Sequence, residues 1–242
     1  MDQQRIIALE GCLNLRDLGG YPTTDGGLTR WGRVLRGGNG GALPPASLAA
    51  LRRQGIRTII DLRWAGERAE APSALAAEAA FAYRAVPFYG DQDPYALAYP
   101  GALGAVYRLE LERQRAPISA ILRSLLEPGT PPLIFHCAFG KDRTGVIAAL
   151  LLGLAGVPRQ WIVADYALTA ETLGTTLAEL RAQATPEELA AEGFWLDCRA
   201  EDMESLLDYL DEEHGGAAGY VRALGLAEGE IAALRGLLRE PG

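Results

Sequence analysis

PPLIFHCAFGKDRTGVIAALLLGLAG, residues 131–156, changes character twice within a few positions. The apolar run PLIFHC is typical of a buried β-strand, and RTGVIAALLLGLAG is typical of a buried helix ended by Gly156 and Pro158. The polar segment between them carries a cysteine, a lysine, an aspartate and an arginine. Burying so many ionisable groups is costly, so this loop is the first candidate for a functional site.

A strand that turns tightly into a helix presents free backbone N–H groups at the helix N-terminus, where the helix dipole also favours negative charge. A cysteine at the mouth of such a loop is favoured as the thiolate, which makes Cys137 a candidate nucleophile. Arg143 lies six positions further on, and the chain must curl for its guanidinium to face the sulfur. A guanidinium binds two oxygens of a phosphate group at once, which a lysine does not reproduce.

A curled loop of this kind would surround a tetrahedral oxyanion with inward-pointing amides. We expect Gly140 at the bend, a hydrogen bond from the Thr144 hydroxyl to the cysteine sulfur, and His136 holding the loop through its ring nitrogens. The candidate phosphate-binding residues are Ala138, Phe139, Gly140, Lys141, Asp142 and Arg143. This arrangement fits transfer of a phosphoryl group to sulfur.

Two other interpretations of the loop are open. A cysteine at a strand end is often a small buried apolar residue, and the C-x5-R spacing alone is a weak pattern. A nucleotide-binding loop of the Walker type fits less well, because GKD lacks a hydroxyl residue after the lysine and the preceding glycine spacing is absent. The crowded ionisable side chains and the glycine at the bend favour the phosphate-binding catalytic loop.

Strand and helix candidates alternate along the rest of the chain. The candidates are strands at 33–38, 56–63 and 81–88, a helix in PPASLAALRRQG after the prolines, with Ser47 near its start and Gly55 as its stop, and a helix at 103–126 interrupted near Pro117. This alternation predicts an α/β fold with a mostly parallel sheet flanked by helices on both faces. We expect a single domain over residues 1–242. The mostly helical part beyond Gln160 either completes the core or, over about 163–212, covers the site as a lid.

The composition is typical of a globular protein, with 49% hydrophobic and 22% charged residues. A formal net charge of -8 argues against a nucleic-acid partner bound through a broad basic surface, although it allows a small basic pocket. Three cysteines without a CxxC pair argue against a disulfide framework or a zinc site. The start lacks a secretory pattern, and the longest apolar run is too short for a bilayer. We expect a cytoplasmic protein without stable membrane insertion, and export without a recognisable signal is left open.

The segment HCAFGKDRTG, residues 136–145, resembles the HC-x5-R-[ST] signature of the cysteine-dependent protein tyrosine phosphatase superfamily. Four further segments resemble the atypical bacterial branch of that superfamily, which has mycobacterial and listerial members. These are NLRDLGGY from Asn14, DLRWAGER from Asp61, IVADYALT from Ile162 and GGAAGYVRALGL from Gly215. The resemblance runs from about Asn14 to near the end of the chain.

The resemblance implies a phosphatase fold of the dual-specificity or tyrosine phosphatase type, with a helical C-terminal cover. It also implies metal-independent hydrolysis of phosphomonoesters through a phosphocysteine on Cys137, with no cofactor. It places Asn14, Arg16 and Asp17, and likewise Arg63 and Glu67, beside the catalytic loop as supporting residues. The alternative for these five residues is a local role in turns and helix caps.

The leaving group needs a proton, and three aspartates are candidates for the general acid. Asp91 follows the strand at 81–88 and, by resemblance, lies within about one position of a mobile acidic residue in this branch. Asp142 lies inside the loop, and Asp61 ends a neighbouring strand. The alternatives are a solvated turn residue for Asp91, a salt-bridge partner for Asp142 and a structural anchor for Asp61. Our interpretation is Asp91 as the acid with Asp142 assisting, ambiguous by a residue because Asp93 is near.

Lys141 resembles a lysine in phosphatases that accept phosphoinositides, where an extra cation meets additional phosphates. A second cation in a pocket favours more highly charged substrates, whereas an ion pair with Asp142 is the alternative. We therefore predict phosphotyrosine, phosphoserine/threonine and phosphoinositides as substrates. Two rival functions are a pseudophosphatase that binds phosphorylated proteins or lipids without turnover, and a rhodanese-like sulfurtransferase. The sequence does not reveal the oligomeric state.

Overall fold

The computed structural model describes residues 5–40, 42–92, 99 and 101–239. Five strands form one sheet in the spatial order β1-β2-β5-β3-β4. They are β1 (Arg16–Asp17), β2 (Val34–Gly38), β3 (Thr58–Asp61), β4 (Ala82–Ala85) and β5 (Leu133–Cys137). The short β1 pairs antiparallel to β2, and the other neighbours pair in parallel. The predicted mostly parallel sheet is confirmed, and β1 is an addition that the sequence analysis missed.

Helices pack on both faces of this sheet. In chain order they are α1 (Pro45–Arg53), α2 (Ala65–Glu70), α3 (Leu103–Arg113), α4 (Arg115–Ser124), α5 (Asp142–Leu154), α6 (Arg159–Gln183), α7 (Pro186–Glu192), α8 (Ala200–His214), α9 (Ala217–Ala223) and α10 (Glu228–Leu238). Among the described residues, the 3-10 turns Ala74–Ala76 and Gly193–Leu196 lie between them. The predicted alternation of strands and helices therefore holds as far as α5, and the chain beyond is helical.

The central strand β5 is buried along its whole length because both of its faces are covered. Alternate residues point to opposite faces of a strand. Phe135 and Cys137 accordingly belong to the larger apolar cluster, while Ile134 belongs to the smaller cluster with Leu51 of α1. This alternation turns Cys137 toward the helix-rich side of the sheet. The helix that follows, α5, is buried almost throughout, as its apolar sequence predicted.

The predicted interruption near Pro117 lies three residues earlier, at Gln114, which separates α3 from α4. Pro117 is the third residue of α4, where a missing N–H costs nothing because the first turn of a helix has no intrahelical acceptor for it. The proline therefore marks a helix start rather than a break.

The range proposed for a lid, about 163–212, is too wide. Tyr166 of α6 and Leu206 and Leu210 of α8 are buried in the main core. Only the end of α6, α7 and the turn Gly193–Leu196 reach the cavity described below. Within the described part of the chain, no helix combines the length and the apolar character needed to cross a bilayer.

Candidate active site

The loop between β5 and α5 turns its carbonyl groups outward. The Ala138 carbonyl accepts from the Asn39 N–H at 2.8 Å, and those of Phe139 and Gly140 accept from the Asn14 side-chain amide at 3.1 and 3.0 Å. Because C=O and the following N–H point to opposite sides of a trans peptide, the amides that follow these carbonyls face the other way. Among the described residues, no hydrogen bond uses the N–H groups of 138–143. The loop thus forms a hollow lined by free amides.

A glycine makes this curvature possible at the expected bend. Gly140 has a φ of 69°, in the left-handed region that other residues avoid. A Cβ atom on Gly140 would lie 2.3 Å from the carbonyl carbon of Gly37 and 2.6 Å from the nitrogen of Gly38. The loop therefore packs directly on the backbone of β2, and only glycine fits there.

The loop opens into a cavity of about 360 Å³. We call the loop 137–143 the floor, of which Ala138, Phe139, Asp142 and Arg143 line the cavity, and we call Glu67, Tyr89 and Tyr99 the wall. The roof consists of Leu177, Ala191, Glu192, Phe194, Trp195 and Leu196. Cys137 is buried where β5 meets this loop. Most of the wall and roof is aromatic or apolar, so the cavity suits a flat apolar group attached to an anion.

Arg143 lies in the first turn of α5 and lines the cavity. Its Nη1 and Nη2 donate to the two carboxylate oxygens of Glu67 at 2.6 and 2.7 Å, and its guanidinium carbon lies 5.5 Å from the centre of the Tyr89 ring. Burial alone would lower the pKa of Arg143. The negative charge of Cys137 and the hydrogen-bonded Glu67 outweigh burial and raise this pKa well above its usual value. Arg143 therefore stays charged in the first turn of α5, next to the loop that begins at Cys137.

A buried ionic network supports the loop from the sheet. Asp165 of α6 lies between Arg16, at 3.1 Å, and Arg36, at 2.6 Å. Arg36 also donates through Nη2 to the Gly140 carbonyl at 2.8 Å. Burial would raise the pKa of Asp165, but the two arginines lower it to about 2. This carboxylate therefore stays charged and holds the arginine that fixes the bend.

The sequence analysis named Asn14 and Arg16 as supports but missed Asp165 and Arg36. Ile162, Asp165 and Thr169 follow each other at helical spacing on one buried face of α6. A carboxylate on an otherwise buried helix face needs a cationic partner, and this signal could have identified it. Its partner could not be read from the sequence, because Arg36 lies more than a hundred residues away.

The remaining supporting residues divide into two groups. Glu67 contacts the floor directly through Arg143. Asp17 instead accepts the N–H groups of Gly19 and Gly32 at 2.8 and 2.7 Å, which is the local turn role named as its alternative. Arg63 is buried, and its Nη2 donates to Asp61 at 2.7 Å. Neither Asp17 nor Arg63 lines the cavity.

Asp61 lies at the end of β3, fully buried and bound by Arg63. Burial would raise its pKa, but the hydrogen bonds from Arg63 and the neighbouring His136 lower it. His136 Nδ1 lies 3.1 Å from the Cys137 carbonyl oxygen, and burial lowers the pKa of this imidazole. Asp61 does not line the cavity, and its hydrogen bonds from Arg63 fit the structural-anchor alternative.

Thr144 does not make the expected hydrogen bond to sulfur. Its hydroxyl is buried and has no hydrogen-bond partner among the described residues. Thr144 occupies the first turn of α5, where the side chain is packed within the core of the helix-rich side.

The two remaining aspartates differ sharply in position. Asp142 lines the cavity, and its Oδ1 accepts from the Tyr107 hydroxyl at 2.6 Å. Asp91 is exposed in the turn after β4 and is not among the residues that line the cavity. Asp93, the neighbouring alternative, lies outside the described residues. Asp142 therefore lies at the cavity, and Asp91 does not line it.

Lys141 does not face the cavity, contrary to the expectation that its charge meets additional phosphates. Its ammonium group is buried and donates to the carbonyls of Trp195 and Asp197 at 2.7 and 2.6 Å. It also lies 3.2 Å from Asp142 Oδ1, so the ion pair named as the alternative is present. The side chain is occupied by protein groups, while its backbone N–H remains part of the floor.

A buried carboxyl group behind the wall was also missed. Glu110 of α3 accepts a hydrogen bond from the Tyr89 hydroxyl at 2.6 Å, and its Oε2 has no partner among the described residues. Burial raises the pKa of Glu110 to about 8, although the bond from Tyr89 opposes this. At neutral pH this side chain is mostly protonated, and no sequence signal separates it from an ordinary exposed glutamate.

Metal-binding geometry is absent from the residues the structure describes: they contain no group of three or more His, Cys, Asp or Glu side chains that could hold an ion. The floor offers amides and a guanidinium, which bind anions. The site is thus suited to a bound tetrahedral anion with a thiol beneath it.

Comparison with known proteins gives consistent results. A family model described as "Tyrosine phosphatase family" matches residues 7–240. A tyrosine-protein phosphatase of Nostoc commune is 34% identical over 213 residues, covering 84% of this chain and 72% of the relative. The triple specificity protein phosphatase PtpB of Mycobacterium tuberculosis is 28% identical, covering 96% of this chain and 99% of that protein. The solved catalytic core of Siw14, an S. cerevisiae protein, is 16% identical with a TM-score of 0.43, covering 86% and 89% of the two chains.

Proposed function

Because the chain belongs to the tyrosine phosphatase family, we propose that it hydrolyses phosphotyrosine through a covalent phosphocysteine on Cys137. The observation that carries the proposal is the hollow of free amides at the end of β5, with Cys137 beneath it and Arg143 beside it. Amides and a guanidinium stabilise the charge of a transferring phosphoryl group without a metal ion.

In the first step the Cys137 thiolate attacks phosphorus, and the S–P bond forms as the P–O bond to the leaving group breaks. The amides of the floor and Arg143 hold the non-bridging oxygens of the phosphoryl group. Asp142 donates its proton to the leaving oxygen. In the second step the Asp142 carboxylate takes a proton from water, whose oxygen attacks phosphorus and releases inorganic phosphate and the thiolate.

We assign Asp142 as the acid because it lines the cavity, whereas Asp91 does not. The Tyr107 hydroxyl bonds to Oδ1, which leaves Oδ2 available to carry the proton. The Tyr107 hydroxyl oxygen lies 2.6 Å from the Tyr166 hydroxyl oxygen, and both side chains are buried. This pair of tyrosines orients the carboxyl group toward the substrate.

Phosphotyrosine is the substrate that the cavity favours, because Tyr89, Phe194 and Trp195 offer apolar faces to a phenyl ring. Phosphoserine/threonine and phosphoinositides are a wider range to be tested, supported by the relative named a triple specificity phosphatase. The Lys141 ammonium group does not support phosphoinositides as substrates, because it donates to protein carbonyls instead of facing the cavity.

The test is hydrolysis of p-nitrophenyl phosphate and of a phosphotyrosine peptide in excess chelator, with vanadate as an inhibitor. Cys137→Ser is expected to lower kcat by about 10⁴-fold or more. Asp142→Asn is expected to lower kcat on the peptide by about 10²-fold or more, and less on p-nitrophenyl phosphate, whose leaving group needs no proton.

Mass spectrometry of acid-quenched Asp142→Asn protein during turnover should detect Cys137 carrying one phosphoryl group. Turnover that survives Cys137→Ser would exclude the covalent mechanism. Phosphopeptide binding by the wild type without any hydrolysis would indicate the pseudophosphatase instead. Transfer of sulfur from thiosulfate to cyanide would indicate the sulfurtransferase.

A further inference from the structure

The side chain of Lys141 leaves the floor and reaches the segment that forms the roof. Its ammonium group has three N–H donors, and three acceptors lie within reach: the carbonyls of Trp195 and Asp197 and the carboxylate of Asp142. The side chain is 1% exposed. A lysine with its donors engaged and no access to solvent is not available to bind a substrate phosphate.

Besides the bonds from Lys141, this segment is held by apolar packing of Phe194, Trp195 and Cys198 against the main core and by exposed ion pairs of Asp197 with two arginines. Trp195 and Asp197 are half-buried, and Asp197 bonds through its side chain to Arg181 at 2.9 Å, an arginine that is largely exposed. Exposed ion pairs hold a segment only weakly. The ammonium of Lys141, by contrast, donates to main-chain carbonyls away from water, where such bonds are stronger.

The position of this segment decides the size of the cavity. The Trp195 ring lies 5.1 Å from the Phe194 ring and 5.3 Å from the Tyr99 ring, measured between centroids. All three rings line the cavity, so a shift of the Trp195 backbone moves the aromatic boundary against which a leaving group would pack. The backbone of Lys141 is part of the floor. Its side chain therefore holds the floor and the roof at a fixed distance from each other.

We infer that Lys141 is a specificity-determining positioning residue, which fastens the Trp195–Asp197 backbone to the catalytic loop and so restricts the cavity to flat aryl phosphates. This inference rests on the proposed function for its substrate class. It predicts that loss of the ammonium group releases the roof and weakens the discrimination against bulkier phosphate esters. A direct role of Lys141 in binding extra phosphates predicts a different pattern.

The first test measures the roof without any turnover, by hydrogen exchange with mass spectrometry on the wild type and Lys141→Met. Methionine keeps the length of the side chain but has no donor. Exchange at residues 193–198 is expected to accelerate at least about tenfold, while exchange in α5 stays unchanged. The matched control is Arg181→Met, which removes one of the two arginines bound to the Asp197 side chain, the other being Arg199, and is expected to change exchange by less than about twofold.

The second test compares kcat/KM for phenyl phosphate, a bulkier phosphothreonine peptide and inositol 1,4,5-trisphosphate. Lys141→Met is expected to lower the preference for phenyl phosphate over the peptide by about fivefold or more, with Arg181→Met unchanged. Unaltered exchange in the roof, together with a loss confined to the trisphosphate, would overturn the inference and restore the phosphate-binding role.

Two further comparisons separate failure of this inference from a general disturbance of the fold and from an inactive enzyme. If Lys141→Met accelerates exchange across α5 as well, Lys141→Arg and Lys141→Gln are compared, and equal exchange of the roof in these two variants would overturn the inference. If the wild type hydrolyses none of the phosphate esters, the proposed function fails. The exchange experiment still decides whether Lys141 fastens the roof.

Discussion

The floor of the cavity is held by side chains that water does not reach, whereas the roof, apart from the buried Leu177, is made of side chains that are half-buried or exposed. Arg16, Arg36 and Asp165, which fix the floor, are each about 1% exposed or less. Phe194 and Trp195 of the roof remain partly accessible. The part that would stabilise the transferring group is thus immobilised from beneath, and the part that would admit the leaving group is held by packing and ion pairs that water partly reaches.

This difference follows from what each part must do. Free amides stabilise an anion only if they are already oriented before it arrives, so their carbonyls need fixed partners on the far side. Burying two arginines with one aspartate is tolerable only because every charge is paired and hydrogen-bonded. The roof does not need such fixed orientation, because it would contact an apolar leaving group only through nonpolar surface. Four substitutions test this difference between floor and roof, and they follow in order from the largest expected effect to the smallest.

Asp165→Asn is expected to give the largest loss, because it leaves two buried arginines without a counter-charge. The free energy of unfolding should fall by about 3–5 kcal/mol, measured by urea denaturation at pH 7. Asp208→Asn is the control, since it breaks an exposed pair with Arg159 and should cost less than about 1 kcal/mol. Similar losses in the two variants would show that the floor is no more firmly held than the surface.

Glu110→Gln tests the buried carboxyl group behind the wall. Its pKa is about 8 in the folded protein against 4.5 unfolded, so its stabilising contribution is complete below pH 4.5 and is lost as pH rises through 8. Between pH 6 and 7.5 the wild type should lose about 2 kcal/mol of unfolding free energy relative to Glu110→Gln. Urea denaturation of both proteins at the two pH values measures this difference. Parallel pH profiles would mean that Glu110 is ionised in the folded state.

Phe194→Ala tests the roof. The loss of unfolding free energy should not exceed about 1.5 kcal/mol, because this ring is only half-buried. KM for phenyl phosphate should rise about threefold to tenfold as apolar contact with the leaving group is lost. Steady-state kinetics and denaturation on the same preparation compare the two effects. A stability loss as large as that of Asp165→Asn would contradict the division into firm floor and loose roof.

Asp91→Asn is expected to have the smallest effect, because Asp91 is exposed and does not line the cavity. Stability should stay within about 0.5 kcal/mol and kcat within about twofold for a phosphotyrosine peptide. The comparison is with Asp142→Asn under identical conditions. A hundredfold loss of kcat in Asp91→Asn would show that Asp91 is the general acid, as the sequence resemblance indicated.

Local sequence predicted the parts of the site that depend on local geometry. The strand β5, the bend at Gly140 and the helix α5 follow from residues within about twenty positions of one another. Periodicity also predicted the parallel sheet, because strands and helices alternate regularly up to α5. In each case the signal and the structure that it specifies lie in the same stretch of chain.

What could not be predicted depends on contacts between distant residues. Asn14 and Arg36 bind the Gly140 carbonyl across more than a hundred residues, and no spacing rule connects them. The direction of the Lys141 side chain was unreadable for the same reason, since its acceptors are carbonyls at Trp195 and Asp197. Every residue has a backbone carbonyl, so the amino-acid sequence does not indicate which carbonyls accept these bonds. The choice between Asp91 and Asp142 likewise required the position of the cavity.

The contact of Gly140 with Gly37 and Gly38 ties chemical reactivity to assembly of the sheet. The loop can take its curled form only when it lies against β2, and β2 reaches that position only by pairing with β5. A partly folded chain therefore has the cysteine but not the ring of amides around it. Alkylating agents and peroxides should meet an ordinary thiol at position 137 until β2 and β5 have paired, and an activated one afterwards.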